Sequence, residues 1–140
     1  MTIEELNVVR RLRNQIANEN KKLQALKIVI GAFPHKYNKS ENNVSSVGVA
    51  KSDFENFIIQ ITDTEKKIEN LQVKLDVEIL KLTEKIRKNF PDGDAQTLLI
   101  YRYVFCKYFH DISFLMGYSE TWAYWKHNQI LKSLESIKAD

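Results

Sequence analysis

The sequence predicts an all-α fold: a long antiparallel helical hairpin, coiled-coil in character, followed by a C-terminal helix-turn-helix module. Three observations carry this. Apolar residues recur every seven positions through residues 3–30 and again through 52–90, the signature of two amphipathic helices. A polar, Asn- and Ser-rich stretch opened by Gly31 and Pro34 separates the two runs, which is stop-and-turn chemistry. Residues 98–134, LLIYRYVFCKYFHDISFLMGYSETWAYWKHNQILKSL, then give a helix, a short helix, a glycine turn and a last helix. The expected organisation is a stalk over 1–90 with a flexible loop at 31–50, and a module over 91–140.

In the first helix Val9, Ile16, Leu23 and Ile30 repeat every seven residues, with Leu12 and Leu26 on the companion position. Glu19 occupies that companion position in the middle heptad. A polar residue in an a/d seam costs stability but can fix register. The polar stretch 31–50 carries His35, which reads as a solvated loop histidine. Its Asn38-Lys-Ser40 and Asn43-Val-Ser45 match a glycosylation sequon, which means nothing without a secretory signal.

The second helix, 52–90, is expected to be capped by Ser52 or Asp53. Phe54, Ile61, Ile68, Leu75 and Leu82 keep a seven-residue spacing. Phe57 and Leu71 accompany them early, Ile79 and Ile86 late. The companion stripe slips by one position near Leu75, as a straight helix of 3.6 residues per turn requires. The helices would reach roughly 42 and 58 Å, too long for so small a module to cover. They are expected to cover each other, with a second copy joining them. Val9, Leu12, Ile16, Leu23, Leu26, Ile61, Ile68, Leu75 and Leu82 are therefore the dimerisation candidates, and a homodimer is expected.

Pro91-Asp92-Gly93 ends the stalk, and Asp94 is the expected N-cap of a packing helix from Ala95 to about Tyr108. Leu98, Leu99, Tyr103 and one of Val104 or Phe105 should face its core. A short helix from about Asp111 to Met116 follows, with Ile112 and Leu115 or Met116 inward and Ser113 small enough for a close crossing. Gly117 can take the positive φ that stops it, and Ser119 can cap the last helix, Glu120 to about Ile137. Ala123, Ile130, Leu131, Leu134 and Ile137 supply its buried face. The same pattern also occurs in helical corners that touch no DNA.

Composition narrows the function. The 140-residue chain has net charge +3 and 44% apolar residues, a mild balance for a nucleic-acid partner. Residues 91–140 are about neutral: Arg102, Lys107, Lys126, Lys132 and Lys138 stand against six acids. Eleven of the fifteen aromatics lie from Phe90 onward. A single cysteine, Cys106, excludes an intrachain disulfide and suits a reducing interior. MTIEELNVVRRLRNQ has no apolar core of signal-peptide length, and no run of about 18 apolar residues exists to span a membrane, so a cytoplasmic protein with no membrane partner is expected.

The stretch LLIYRYVF…DISFLMGYS…KHNQILKSL resembles the C-terminal module of small phage regulators of the RinA and ArpU kind. It is similar in turn to region four of bacterial sigma factors. The resembling positions are Leu98-Leu99, Arg102-Tyr103, Phe109, Ile112, Met116-Gly117-Tyr118-Ser119, His127, Leu131 and Leu134. The stalk also resembles members of that group. The resemblance implies a phage or prophage DNA-binding regulator working in a bacterial host. The chain departs from the pattern at Trp122 and Trp125, where Arg or Lys is usual, at Phe114 and Leu115, where polar residues are usual, and at Cys106, where a glycine often sits.

The DNA-contact candidates are Thr121, Trp122, Tyr124, Trp125, Lys126, Asn128 and Lys132 on the last helix, with Arg102 beside it. Asn can bond adenine bidentately and Thr can meet a thymine methyl; the cations would meet phosphates. The alternative is a protein-binding adaptor or inhibitor that uses the aromatic C-terminal face on RNA polymerase, a host defence protein or another host protein, since exposed Trp and Tyr anchor interfaces. The Arg10-Arg11-Arg13 cluster reads as a solvated helix face. Cys106 and His110 lie four apart with His127 as a third candidate, short of the set a metal needs. No phosphate loop, nucleophile elbow or carboxylate pair is visible, so neither an enzyme nor a cofactor is expected.

Overall fold

The computed structural model describes residues 1–32 and 44–139, without the side chains of 44–51 and 137–139. All regular structure among them is helical: α1 (Ile3–Leu6), α2 (Val8–Gly31), α3 (Val44–Asn89), α4 (Gly93–Leu99), α5 (Phe109–Met116) and α6 (Glu120–Ala139), with a π-helical turn, Ile100–Val104, continuing α4. The protein is all-α. No described helix is long and apolar enough to cross a membrane.

The chain forms two compact units. One joins Met1–Arg13 to 74–140; the other is Asn14–Val73. The expected boundary at Phe90–Pro91 is thus replaced: the first thirteen residues pack with the C-terminal module. Thr2 opens α1 with a capping box, its Oγ1 accepting from Glu5 N–H while Glu5 accepts from Thr2 N–H. Asn7 then separates α1 from α2, so the expected 3–30 helix is two helices.

The unit of Met1–Arg13 and 74–140 holds a dense core. Leu6, Val9 and Leu12 are buried, with Leu82 and Ile86 of α3, Leu98 and Leu99 of α4, Tyr103 and Val104 of the π-turn, Phe109 and Ile112 of α5, and Ala123, Ile130 and Leu134 of α6. Phe105 and Leu115 are exposed rather than inward, and Met116 and Leu131 are half-buried. The N-cap of α4 is Asp92, whose carboxylate accepts from Asp94 N–H at 3.2 Å. Asp94, the expected cap, sits in the first turn instead. The helix leaves regular geometry at Ile100 and ends at Val104, four residues early, because Phe105 N–H bonds Ile100 C=O and Lys107 N–H bonds Tyr101 C=O. Cys106 takes φ +56 there, the left-handed geometry that closes helices and favours glycine.

In the unit Asn14–Val73, α2 and α3 run antiparallel: Lys22 and Leu26 share a groove with Gln60 and Thr64, while Asn20 and Leu23 share one with Ile68 and Val73. Glu19 is buried between them and accepts from Lys67 Nζ at 3.1 Å and Lys22 Nζ at 3.3 Å. The hydrogen bond from Lys67 holds its carboxyl below the usual carboxylate range, against the opposing effect of burial. The polar interruption in the seam is therefore an interhelical ion pair. Helix α3 starts at Val44, ahead of the expected cap at Ser52 or Asp53 and inside the expected loop. His35 and both sequons' asparagines lie outside the described residues.

Of the dimerisation candidates, Val9, Leu12, Leu75 and Leu82 are buried within the first unit, and Ile61 within the second. Ile16, Leu23, Leu26 and Ile68 are half-buried. The first unit thus closes its own candidate positions within one chain, whereas the second closes only that of Ile61 among its described candidates.

Candidate recognition surface

The C-terminal pair of helices is set up by local chemistry. Helix α5 stops at Gly117, which takes φ +75 and donates to the carbonyls of Ser113 and Phe114. A left-handed residue at this point turns the chain sharply. Tyr118 follows, and Ser119 Oγ then accepts from Trp122 N–H at 3.1 Å to start α6. Ser113, buried beneath the crossing, bonds back to His110 C=O at 2.8 Å.

Helical period fixes what α6 presents. Ala123, Ile130 and Leu134 are buried on one side. Thr121, Trp125, Asn128 and Lys132 fall on the opposite side at spacings of four, three and four, and all four are exposed; Trp125 is 56% exposed. Two ring contacts flank the stripe. Trp122 stacks on Tyr118 with centroids 3.9 Å apart, and Tyr124 lies against Phe109 at 4.4 Å. Tyr118 also donates to Asp94 Oδ2 at 2.8 Å, which raises its phenol above the ordinary range.

The other two expected DNA contacts do different work. Lys126 pairs with Asp92 at 2.7 Å, joining α6 to the cap of α4 and holding that carboxyl below its usual range. Arg102 is half-buried, with its guanidinium 4.4 Å from the Phe109 ring centroid and Nη1 donating to Lys107 C=O at 3.0 Å. Burial, then the neighbouring Arg10, lower its pKa. Neither cation points at an outside anion.

Of the arginine cluster, Arg11 is exposed as a solvated face requires, but Arg10 and Arg13 are half-buried. Arg13 donates from Nε and Nη2 to Val104 C=O at 3.2 and 3.0 Å, and Arg10 donates to Arg102 C=O at 3.3 Å while lying over the Tyr103 ring. These are carbonyls at the end of the π-turn, where a cation satisfies both the unmade bonds and the negative end of the helix dipole. Arg11 donates to Glu4 C=O. The one sequence signal was the three-residue spacing of Arg10 and Arg13, which puts both on one helix face.

Beneath α6, His127 Nε2 is 2.6 Å from Tyr103 Oη, and Phe109 meets the imidazole edge-on. Burial, then Arg102, lower the His127 pKa, opposed by its hydrogen bond with Asn128. A neutral imidazole accepting from Tyr103 fits both observations. Cys106 turns its Sγ to Tyr103 C=O, and His110 pairs with Glu120 at 3.5 Å. No three His, Cys, Asp or Glu side chains converge on a metal position among the described residues.

No family model, curated protein or solved structure matches the chain.

A second exposed area lies on α5, where Phe114 is 85% exposed, with Leu115 beside it. Such a surface suits an apolar partner rather than phosphate.

Proposed function

We propose that the chain is a DNA-binding regulator whose α5–turn–α6 acts as a helix-turn-helix, α6 lying in the major groove. One observation carries this reading: the stripe Thr121, Trp125, Asn128 and Lys132 is exposed directly opposite the residues that bury α6. A major groove about 12 Å wide admits one helix, and base edges there are read by side chains of this kind. In this reading Asn128 and Thr121 contact bases, Lys132 contacts phosphate, and Trp125 and the flanking Tyr118–Trp122 stack meet the sugar–phosphate wall. The resemblance to phage regulators supports a role in phage or prophage transcription within a bacterial cytoplasm.

The test is selection from a random duplex library followed by a salt titration. Recovery of a preferred site supports the reading. So does affinity that falls by about 0.9 log unit per log unit of salt for each phosphate contacted. Failure to enrich any duplex, with no salt-dependent retention, overturns it.

A second reading rests on a separate observation. Arg102 and Lys126 are engaged internally, while Phe114 and Leu115 face outward. That combination favours a protein partner, RNA polymerase or another host protein, bound through α5. Capture that survives nuclease and is lost in Phe114→Ser would support it.

A further inference from the structure

We infer that the duplex element taken by α6 has an A·T core of about four base pairs, with Gln129 as a base-reading residue beside Asn128 and Thr121. This rests on the DNA-binding reading and names the class of sequence such a surface selects. Gln129 is exposed. It follows Asn128 directly and lies one turn beyond Trp125, on the flank of the outer stripe. From Thr121 to Gln129 the helix advances roughly 12 Å, and stacked base pairs rise about 3.4 Å each. A helix lying along the groove therefore sets these side chains over about four successive pairs.

The chemistry of the surface selects the base. Arg or Lys on guanine O6 and N7 is the commonest specific contact, and α6 carries no arginine. Lys126 is held by Asp92 at 2.7 Å, and Lys132 lies one turn past Asn128. Cytosine offers its amino group to a carboxylate, but Glu120 is turned to His110 at 3.5 Å. Between Glu120 and Gln129, the polar side chains left outward beside the Trp125 indole are Thr121, Asn128 and Gln129. A side-chain amide presents an oxygen to the adenine amino group and a nitrogen to adenine N7. Guanine shows acceptors at both places, so the amide oxygen would be desolvated without a partner. Asn128 is also hydrogen-bonded to His127. An amide oxygen has two lone pairs and its nitrogen two donors, so the adenine pattern stays available. Thr121 adds a methyl that can meet the methyl of thymine. With one cation on the stripe, discrimination has to come from base edges rather than phosphate.

Selection from a random duplex library with the full chain should return a site with this A·T core. Replacing a contacted A·T pair by G·C should weaken binding by about tenfold or more. Inosine–cytosine pairs should weaken it as much. They keep the minor-groove acceptors of A·T but present the major-groove pattern of G·C. Deaza-adenine lacking N7 should weaken the native chain at the position read by Gln129 and leave Gln129→Ala indifferent there. Gln129 is exposed, so this variant should keep the native helical circular dichroism. A selected site with a G·C core overturns the inference and leaves DNA binding standing. So does a site that tolerates inosine–cytosine pairs, which marks readout of the minor groove or of duplex shape. A Gln129→Ala chain that keeps the native sensitivity to deaza-adenine at every position overturns it too. If no duplex is retained, the inference falls together with the reading beneath it.

Discussion

The two compact units are built on different principles. The unit of Met1–Arg13 and 74–140 buries every buried apolar residue among the described ones except Ile61, and it ties its helix ends with Arg10, Arg13, Arg102 and Lys126. The unit Asn14–Val73 holds a pair of helices in which, among the described residues, only Ile61 and Glu19 are buried. Two helices share one narrow seam, whereas several short helices crossing at different angles enclose a core. In the DNA-binding reading proposed above, the first unit is the support for α6. The second leans on an ion pair in its seam for register.

The largest expected effect breaks the dense unit. Leu98 is fully buried, so Leu98→Ala should lower stability by about 2–5 kcal/mol. The half-buried Leu23 should lose only about 1 kcal/mol on the same change. Chemical denaturation of both variants checks the contrast; equal losses would mean that the two units do not differ as described.

Arg13→Ala removes two donors from the Val104 carbonyl and should lower stability by about 1–3 kcal/mol. Arg13→Lys should recover only part of this, because an ammonium cannot reproduce the planar fork. If Arg13→Ala unfolds at the native midpoint, the clamp contributes nothing.

Acid should separate the units. His127 has a lowered pKa in the fold, so the unfolded chain binds its proton first. Its contribution to stability is full above the ordinary value of about 6.5 and falls as pH drops below it. Glu19 also has a lowered pKa. Its contribution is present above the ordinary carboxylate value and is lost as pH falls through the range below. Amide protection, corrected for the pH dependence of intrinsic exchange, should therefore fall in the His127 unit on mild acidification, and in the α2–α3 pair only at more acidic pH. The reverse order would contradict both assignments.

The smallest effect concerns the two left-handed residues. Gly117→Ala meets no atom within 4 Å, so its cost is backbone strain alone, about 1 kcal/mol. Cys106→Gly relieves the same strain at φ +56 and should raise stability by less than about 1 kcal/mol. Thermal melts of both variants report the sign.

Much of the architecture was legible in the sequence, for physical reasons. Seven-residue periodicity located the long helices, and Gly117 and Ser119 marked the turn because few other residues take those roles. Ala123, Ile130 and Leu134 were legible as the buried side of α6, which in turn defined Thr121, Trp125, Asn128 and Lys132 as the outer stripe. What escaped the sequence depends on long-range pairing. Nothing local says that Arg13 will meet Val104 or that Lys126 will meet Asp92, so Arg13 read as part of a solvated face and Lys126 as a phosphate contact. The end of α4 was missed because a π-turn follows from tertiary carbonyl partners rather than from propensity. Whether a second copy joins the seam was not legible, because a heptad does not say which chain covers it.

Duplex binding by the intact chain beside Asn128→Ala and Lys132→Ala tests the outer stripe of α6 most directly. Salt-dependent binding to a selected site should be found. Asn128→Ala should lose discrimination at one position, by about 1–3 kcal/mol. Lys132→Ala should weaken all duplexes alike and reduce the salt slope by about one. Equal, salt-insensitive retention of all three proteins on every duplex would contradict it.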